Sequence, residues 1–238
     1  MLNARGKKVS SRSGFFSRVR RIASMSSRAR AKFSGKAVLV AWFCSAAAFA
    51  QYKAGPAGAP PSDVAAPIRQ VLQESGLRIT NNGSGYCEIW LRSRMPAVAT
   101  PSAQNVTLPG IATGALVGLI HFDQDASDRR GQKIQAGLYT LRYAAMPANS
   151  DHLGASPQRD FLLLLRAIDD KDPDSTPKFD TLVSMSRRAT GNSHPAVLSA
   201  WKADGEATAF SQEGDDWVLE TKVGDTPIAV ILIGIAGS

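Results

Sequence analysis

Three residues near the middle of the chain have the types that acid–base or anion-handling chemistry needs, and they stand close together: His152, Arg159 and Asp160. An imidazole titrates near neutral pH, and a neighbouring carboxylate such as Asp151 can orient it for proton transfer. A guanidinium such as Arg159 can hold an anionic group through paired N–H donors. The competing reading is a solvated loop that Arg159 and Asp160 fasten to the framework. Adjacency in sequence is not convergence in space.

Histidine supplies a second arrangement. His121, His152 and His194 are the chain's three histidines, and neutral imidazoles are ligands for zinc or copper. Their separations of 31 and 42 residues form no local ligand motif. His121 lies in an apolar run and His194 precedes Pro195, so each also has a plain structural explanation.

Two acidic stretches invite calcium. Asp123-Gln-Asp-Ala-Ser-Asp128 opens like an EF-hand loop, but Asp128 stands where glycine is required and Ile134 where the bidentate Glu belongs. Asp170, Asp172 and Asp174 alternate correctly, but Thr181 takes the twelfth position. A calcium site of another kind in this second loop stays open. Trp90, Trp201 and Trp217 could make a sugar-stacking face; the plainer reading is buried or half-buried strand aromatics. There is no G-x-S-x-G, H-E-x-x-H, phosphate-binding or dinucleotide-binding motif. A hydrolytic serine such as Ser156 would need its base from elsewhere in the fold.

The elements that must position these residues are mostly strands. In Gly137 to Arg166, Tyr139, Leu141, Tyr143 and Ala145 share one face of an extended run. Phe161 to Leu165 is apolar throughout, as in a strand buried on both faces. Val64, Ile68, Val71 and Leu72 recur at helical spacing, with Pro67 in the first turn and Gly76 as the expected stop. Leu77–Thr80 and Tyr86–Arg92 read as a hairpin. Further strands are expected at 106–108, 115–122, 207–210, 217–221 and 228–235, and a second helix from Phe179 to Gly191. Strands joined by polar turns with little helix between them predict a single, mainly β domain, an antiparallel sandwich or jelly-roll with one or two short helices. Cys87, in phase with Ile89 and Leu91, is expected to be a buried, inert thiol.

Residues 1–50 read separately. They hold 11 of the 28 basic residues and none of the 20 acidic ones, and end in an apolar run from Ala37 to Ala50. A basic region, a short apolar stretch and Ala48-Phe-Ala50 have the form of a cleaved signal peptide, with Gln51 as the new N-terminus. Met25 is an alternative start, which makes residues 1–24 an over-extension. The apolar run is shorter than the roughly 20 residues that a membrane-spanning helix needs. Residues 51–62, rich in Ala, Gly and Pro, are expected to be a flexible lead-in, with the domain at 63–238. After cleavage 17 basic residues face 20 acidic ones, so the formal +8 becomes −3. The electrostatic footprint of a nucleic-acid binder is missing.

Gln135-Ala-Gly-Leu-Tyr-Thr-Leu-Arg142 and His152-x-Gly-x-Ser-Pro-x-Arg-Asp-Phe161 resemble segments of secreted bacterial β-sandwich proteins with no assigned activity. The resemblance covers about residues 135–166 and implies fold and compartment, not chemistry. The reading is an exported, secreted or periplasmic protein that acts as a non-enzymatic binding or structural module of the envelope. Its ligand is unspecified, a glycan or envelope protein being the candidates, and its cofactors are unknown. The alternative is a metal-dependent or hydrolytic enzyme with its site in the 147–160 loop.

Overall fold

The computed structural model describes residues 52–96, 105–146 and 158–235. Strands dominate: β1 (Tyr52–Pro56), β2 (Leu77–Asn81), β3 (Ser84–Leu91), β4 (Leu116–Phe122), β5 (Ala126–Ser127), β6 (Lys133–Ile134), β7 (Gly137–Ala145), β8 (Asp160–Arg166), β9 (Val197–Trp201), β10 (Ala209–Glu213), β11 (Asp216–Val223) and β12 (Thr226–Ile233). Two helices interrupt them, α1 (Ala66–Val71) and α2 (Phe179–Thr190).

Ten strands form one sheet in the order β1-β2-β3-β4-β7-β8-β9-β12-β11-β10, and every pairing is antiparallel. The first seven follow each other as a meander, with the small β5–β6 hairpin set aside between β4 and β7. The chain then leaves β9 for the far edge and returns through β10 and β11, so that β12 lies beside β9. This last step is a Greek key. β9 carries the join: residues 197–199 pair with β8 and residues 200–201 pair with β12. The sheet curls into a nearly closed, barrel-like shape. The edge strand β1 approaches the far end of the sheet, where the Tyr52 ring meets the Trp217 ring of β11, one strand in from the β10 edge, centroids 5.4 Å apart. The expected mainly β, antiparallel character and the two helices stand.

The concave face holds the main core, including Ile79, Cys87, Ile89, Ile120, Leu141, Tyr143, Leu162, Leu164, Leu198, Leu219 and Val230. The convex face is covered in patches. α1 lays Ile68 over Trp90, Leu116 and Leu119, and α2 lays Leu182 over Ala144, Phe161, Leu163 and Leu165. Residues 161–165 of β8 are therefore apolar throughout for the reason the sequence implied: Leu162 and Leu164 fill the interior, and Phe161, Leu163 and Leu165 lie under α2. Burying one such leucine contributes roughly 1.5–3 kcal/mol.

Some expectations shift. α2 ends as predicted, with Gly191 at φ 70° accepting the left-handed C-terminal position. Gly76 does not end α1, which stops at Val71, with Leu72 bridged to Arg92. A Cβ at position 76 would lie 2.6 Å from both the Ile89 carbonyl oxygen and Trp90 Nε1, so close approach of strands is what requires glycine there. Residues 52–56 of the expected lead-in form β1, and Ala57 is buried. Residues 106–108 form no strand, because the N–H groups of Thr107 and Leu108 turn to the Asp160 carboxylate. β9 was not anticipated; five residues after a polar turn carry too little periodic signal. No helix among the described residues is long and apolar enough to cross a membrane.

Candidate functional site

Asp160 begins β8 and is fully buried. Its carboxylate accepts four hydrogen bonds, from Tyr143 Oη at 2.7 Å, Thr107 N at 2.8 Å, Thr107 Oγ1 at 3.0 Å and Leu108 N at 3.1 Å. A carboxylate has about four lone-pair sites, and these donors fill them. Thr107 Oγ1 in turn accepts the Lys202 N–H, so one acid ties β7, β8, the 105–108 segment and the end of β9 together. Arg159, next in the chain, donates from Nε and Nη2 to the Met146 carbonyl at 3.0 and 2.5 Å. Both residues hold the base of the β7–β8 connection. His152 lies outside the described residues.

The other two histidines lie apart in the fold. His121 is on β4, about a third exposed, with Nδ1 3.4 Å from Asp123 Oδ1. His194 lies in the turn after α2, where its N–H donates to Asn192 Oδ1 and its carbonyl accepts Thr190 Oγ1. Among the described residues, no three His, Cys, Asp or Glu side chains gather in metal-ligating fashion. In the first acidic loop, Asp128 is fully buried and accepts the N–H groups of Arg130 and Gln132 together with the Arg130 guanidinium. Lys133 and the Ala136 N–H hold the exposed Asp125 carboxyl below its ordinary pKa.

In the second acidic loop the cation is already present, and it is arginine. Arg142 projects from the convex face of β7 yet is fully buried beneath residues 170–175. Its Nε and Nη2 donate to Asp170 at 2.8 and 2.7 Å. Its other donors reach the carbonyls of Gly114 at 3.0 Å, Ser175 at 2.6 Å and Asp172 at 2.6 Å. All five guanidinium N–H groups are thus used, and Thr140 Oγ1 adds a 2.6 Å bond to Asp170. Arg92 repeats the pattern, donating to the Pro173 carbonyl and to Asp174 at 2.7 and 2.9 Å. The alternating acids that suggested calcium wrap guanidinium groups instead. Sequence reasoning missed Arg142, although an arginine amid the apolar residues of β7 was a readable signal.

The three tryptophans do not form one stacking face. Trp90 is buried under α1 and donates to the Gly58 carbonyl at 2.8 Å. Trp217 joins a row of rings that runs from Phe210 through Tyr52, Tyr86 and Phe122 to Tyr139. Trp201 packs on Val218, Ala229 and Ile231 on the convex side. Cys87 is fully buried; desolvation, reinforced by Asp123 and Glu88, pushes its thiol well above the ordinary range.

A cleft of about 700 Å³ lies on the convex face. His121 faces Leu138 across β4 and β7, and the Ala167 N–H continues the ladder to the Leu138 carbonyl at 3.0 Å. These three residues form a row across the floor. Asp63 and Ala65, leading into α1, and Arg166, Ile168 and Lys171 also line the cleft. The volume falls within the ~300–1,000 Å³ typical of small-molecule sites, and the lining mixes polar and apolar groups in about equal measure.

The fold and site define a mainly β, antiparallel domain with a nearly closed ten-stranded sheet, two covering helices and an open convex cleft. Compared with protein-family models, curated proteins and solved structures, the chain matches none.

Proposed function

We propose that this chain is an exported, non-enzymatic binding module of the cell envelope, secreted or periplasmic, that takes its ligand on the convex cleft. The observation that carries this reading is the contrast between two kinds of polar group. Asp160, Asp170, Arg142 and Arg92 are buried and hydrogen-bonded into the framework. His121, Arg166 and Lys171 line an open cleft together with the apolar Leu138 and Ala167. A glycan or a segment of an envelope protein suits the reading, since either offers polar groups beside apolar surface. The N-terminal segment of 11 basic residues followed by an apolar run supports export, with cleavage after Ala50. The likeness to secreted bacterial β-sandwich proteins over residues 135–166 points the same way. On that reading the curled sheet is a sandwich whose layers share β9 as a corner strand, supported by its change of partner from β8 to β12.

Expression of the full chain in a bacterial host tests export directly: the recovered protein should begin at Gln51 by mass. Retention of residues 1–50 would remove the export claim. The same protein is then heated with glycans, with soluble envelope fractions and separately with zinc, copper and calcium. A ligand that binds only the folded state raises the unfolding temperature through RT ln(1 + [L]/Kd). Saturable stabilisation by a glycan or envelope component supports the binding module. Stabilisation by a metal that His152→Ala abolishes would replace it with the rival, an enzyme using the 147–160 loop.

A further inference from the structure

We propose that the N-terminus created by cleavage after Ala50 is closed by cyclisation of Gln51 to a pyroglutamyl residue, and that this cap protects the seam of the sheet; this rests on that cleavage taking place. Gln51 follows Ala48-Phe-Ala50 directly and precedes Tyr52, the first residue of β1. An N-terminal glutamine carries a nucleophile and an electrophile on one residue. The α-amine nitrogen bonds to Cδ of the residue's own carboxamide, the Cδ–Nε2 bond breaks, and Nε2 leaves as ammonia with a proton from the α-nitrogen. The product is a neutral lactam that keeps one N–H. Nothing is oxidised or reduced, and no co-reactant enters. Holding both groups on one residue makes the step unimolecular. An α-amine has an ordinary pKa of about 7.7–8.0, so part of it is neutral and nucleophilic at neutral pH.

What the cap guards is the opening of β1. β1 is an edge strand, paired on one side with β2 from Tyr52↔Asn81 to Pro56↔Leu77. Beyond its far end the Ala57 N–H donates to the Gly76 carbonyl at 2.9 Å. Its near end is held by Tyr52, whose ring meets Tyr86 at 5.5 Å and Trp217 at 5.4 Å. Tyr52 is therefore both the residue that ties β1 across the sheet and the second residue of the processed chain. An exopeptidase that needs a free α-amine reaches it after one cleavage. A lactam offers no such amine. The ring also restricts φ as a proline ring does, at no cost to the strand, because the described ladder begins at Tyr52.

The test uses the protein recovered from expression of the full chain in a bacterial host, held at neutral pH and followed by intact mass, peptide mapping and Edman degradation. The chain should begin at residue 51 and be lighter by one ammonia than a chain opening with glutamine. It should resist Edman degradation until pyroglutamyl aminopeptidase removes residue 51. Gln51→Asn, whose side chain is one methylene too short to close the same ring, should start at the same position with full mass and an open N-terminus. With leucine aminopeptidase added, the wild-type chain should keep Tyr52. Gln51→Asn should lose residues 51 and 52, and its tryptophan fluorescence should move to longer wavelength. A chain that begins at Gln51 with full mass and an open amine would overturn cyclisation and leave export standing. A chain that retains residues 1–50, or begins elsewhere, would remove the cleavage reading and the cap together. Ammonia loss that peptide mapping places away from residue 51 would overturn the assignment. Equal survival of Tyr52 in both proteins would overturn the protective role.

Discussion

The guanidinium of Arg142 and the carboxylate of Asp170 meet through two bonds of 2.8 and 2.7 Å in a region where neither side chain is more than 4% exposed. The pair joins β7 to the loop after β8, and the carbonyls of Gly114, Asp172 and Ser175 complete the shell of the cation. Removing one member leaves a buried charge without its partner, which costs about 3–5 kcal/mol. Arg142→Met and Asp170→Leu should each lower stability by that order in urea unfolding. The double variant should recover part of the loss, because no isolated charge then remains. Additive losses would mean that the two groups act independently.

Asp160 offers a different test, because its four donors carry no formal charge. Asp160→Asn keeps the shape but turns an N–H₂ toward groups that themselves donate. A lost or mismatched buried hydrogen bond costs about 1–3 kcal/mol. The Thr107 and Leu108 amides should exchange with deuterium at least tenfold faster in this variant, while amides in β11 and β12 keep their protection. Unchanged exchange at 107 and 108 would remove Asp160 as the anchor of that segment.

At the seam of the sheet, the Tyr52 ring packs edge-on against Trp217 and Tyr86, with centroids 5.4 and 5.5 Å away. β1 otherwise pairs on one side alone, with β2. Aromatic pairs contribute about 0.5–1.5 kcal/mol beyond burial. Tyr52→Ala should therefore cost about 2 kcal/mol with burial included, and Trp217 fluorescence should shift toward longer wavelength as water enters. Tyr52→Phe should retain most of the stability, because the contact is made by the ring.

The buried Tyr86 and Cys87 side chains bear on stability at alkaline pH. Burial raises both groups above their ordinary values of 10.0 and 9.0, so the folded state keeps protons that the unfolded state releases. Their stabilising effect is complete below those ordinary values and is lost as the pH climbs past them. The unfolding temperature should fall from about pH 9 upward, and Cys87→Ala should remove the early part of that fall. Iodoacetamide at pH 8 should leave Cys87 unmodified in the folded protein and label it in urea. Rapid labelling of the folded protein would show that the strand opens.

Local periodicity already announced much of the architecture. β7 and β8 were legible because alternating and continuous apolar runs report one-sided and two-sided burial, and α2 was legible from its 3.6-residue stripe and Gly191. The burial of Cys87 followed from its phase with Ile89 and Leu91. These features depend on neighbours a few residues away, which a sequence displays directly. Tertiary structure alone decided the rest. Asp170 and Arg142 are 28 residues apart, and Thr107 and Asp160 are 53 apart. No local pattern says that a solvated-looking acidic loop will fold over a buried arginine. The cleft is set the same way, since His121, Leu138 and Ala167 become neighbours only through the register of three strands. The near-closure of the sheet brings Tyr52 of β1 against Trp217 of β11, a long-range contact that strand-length patterns do not encode.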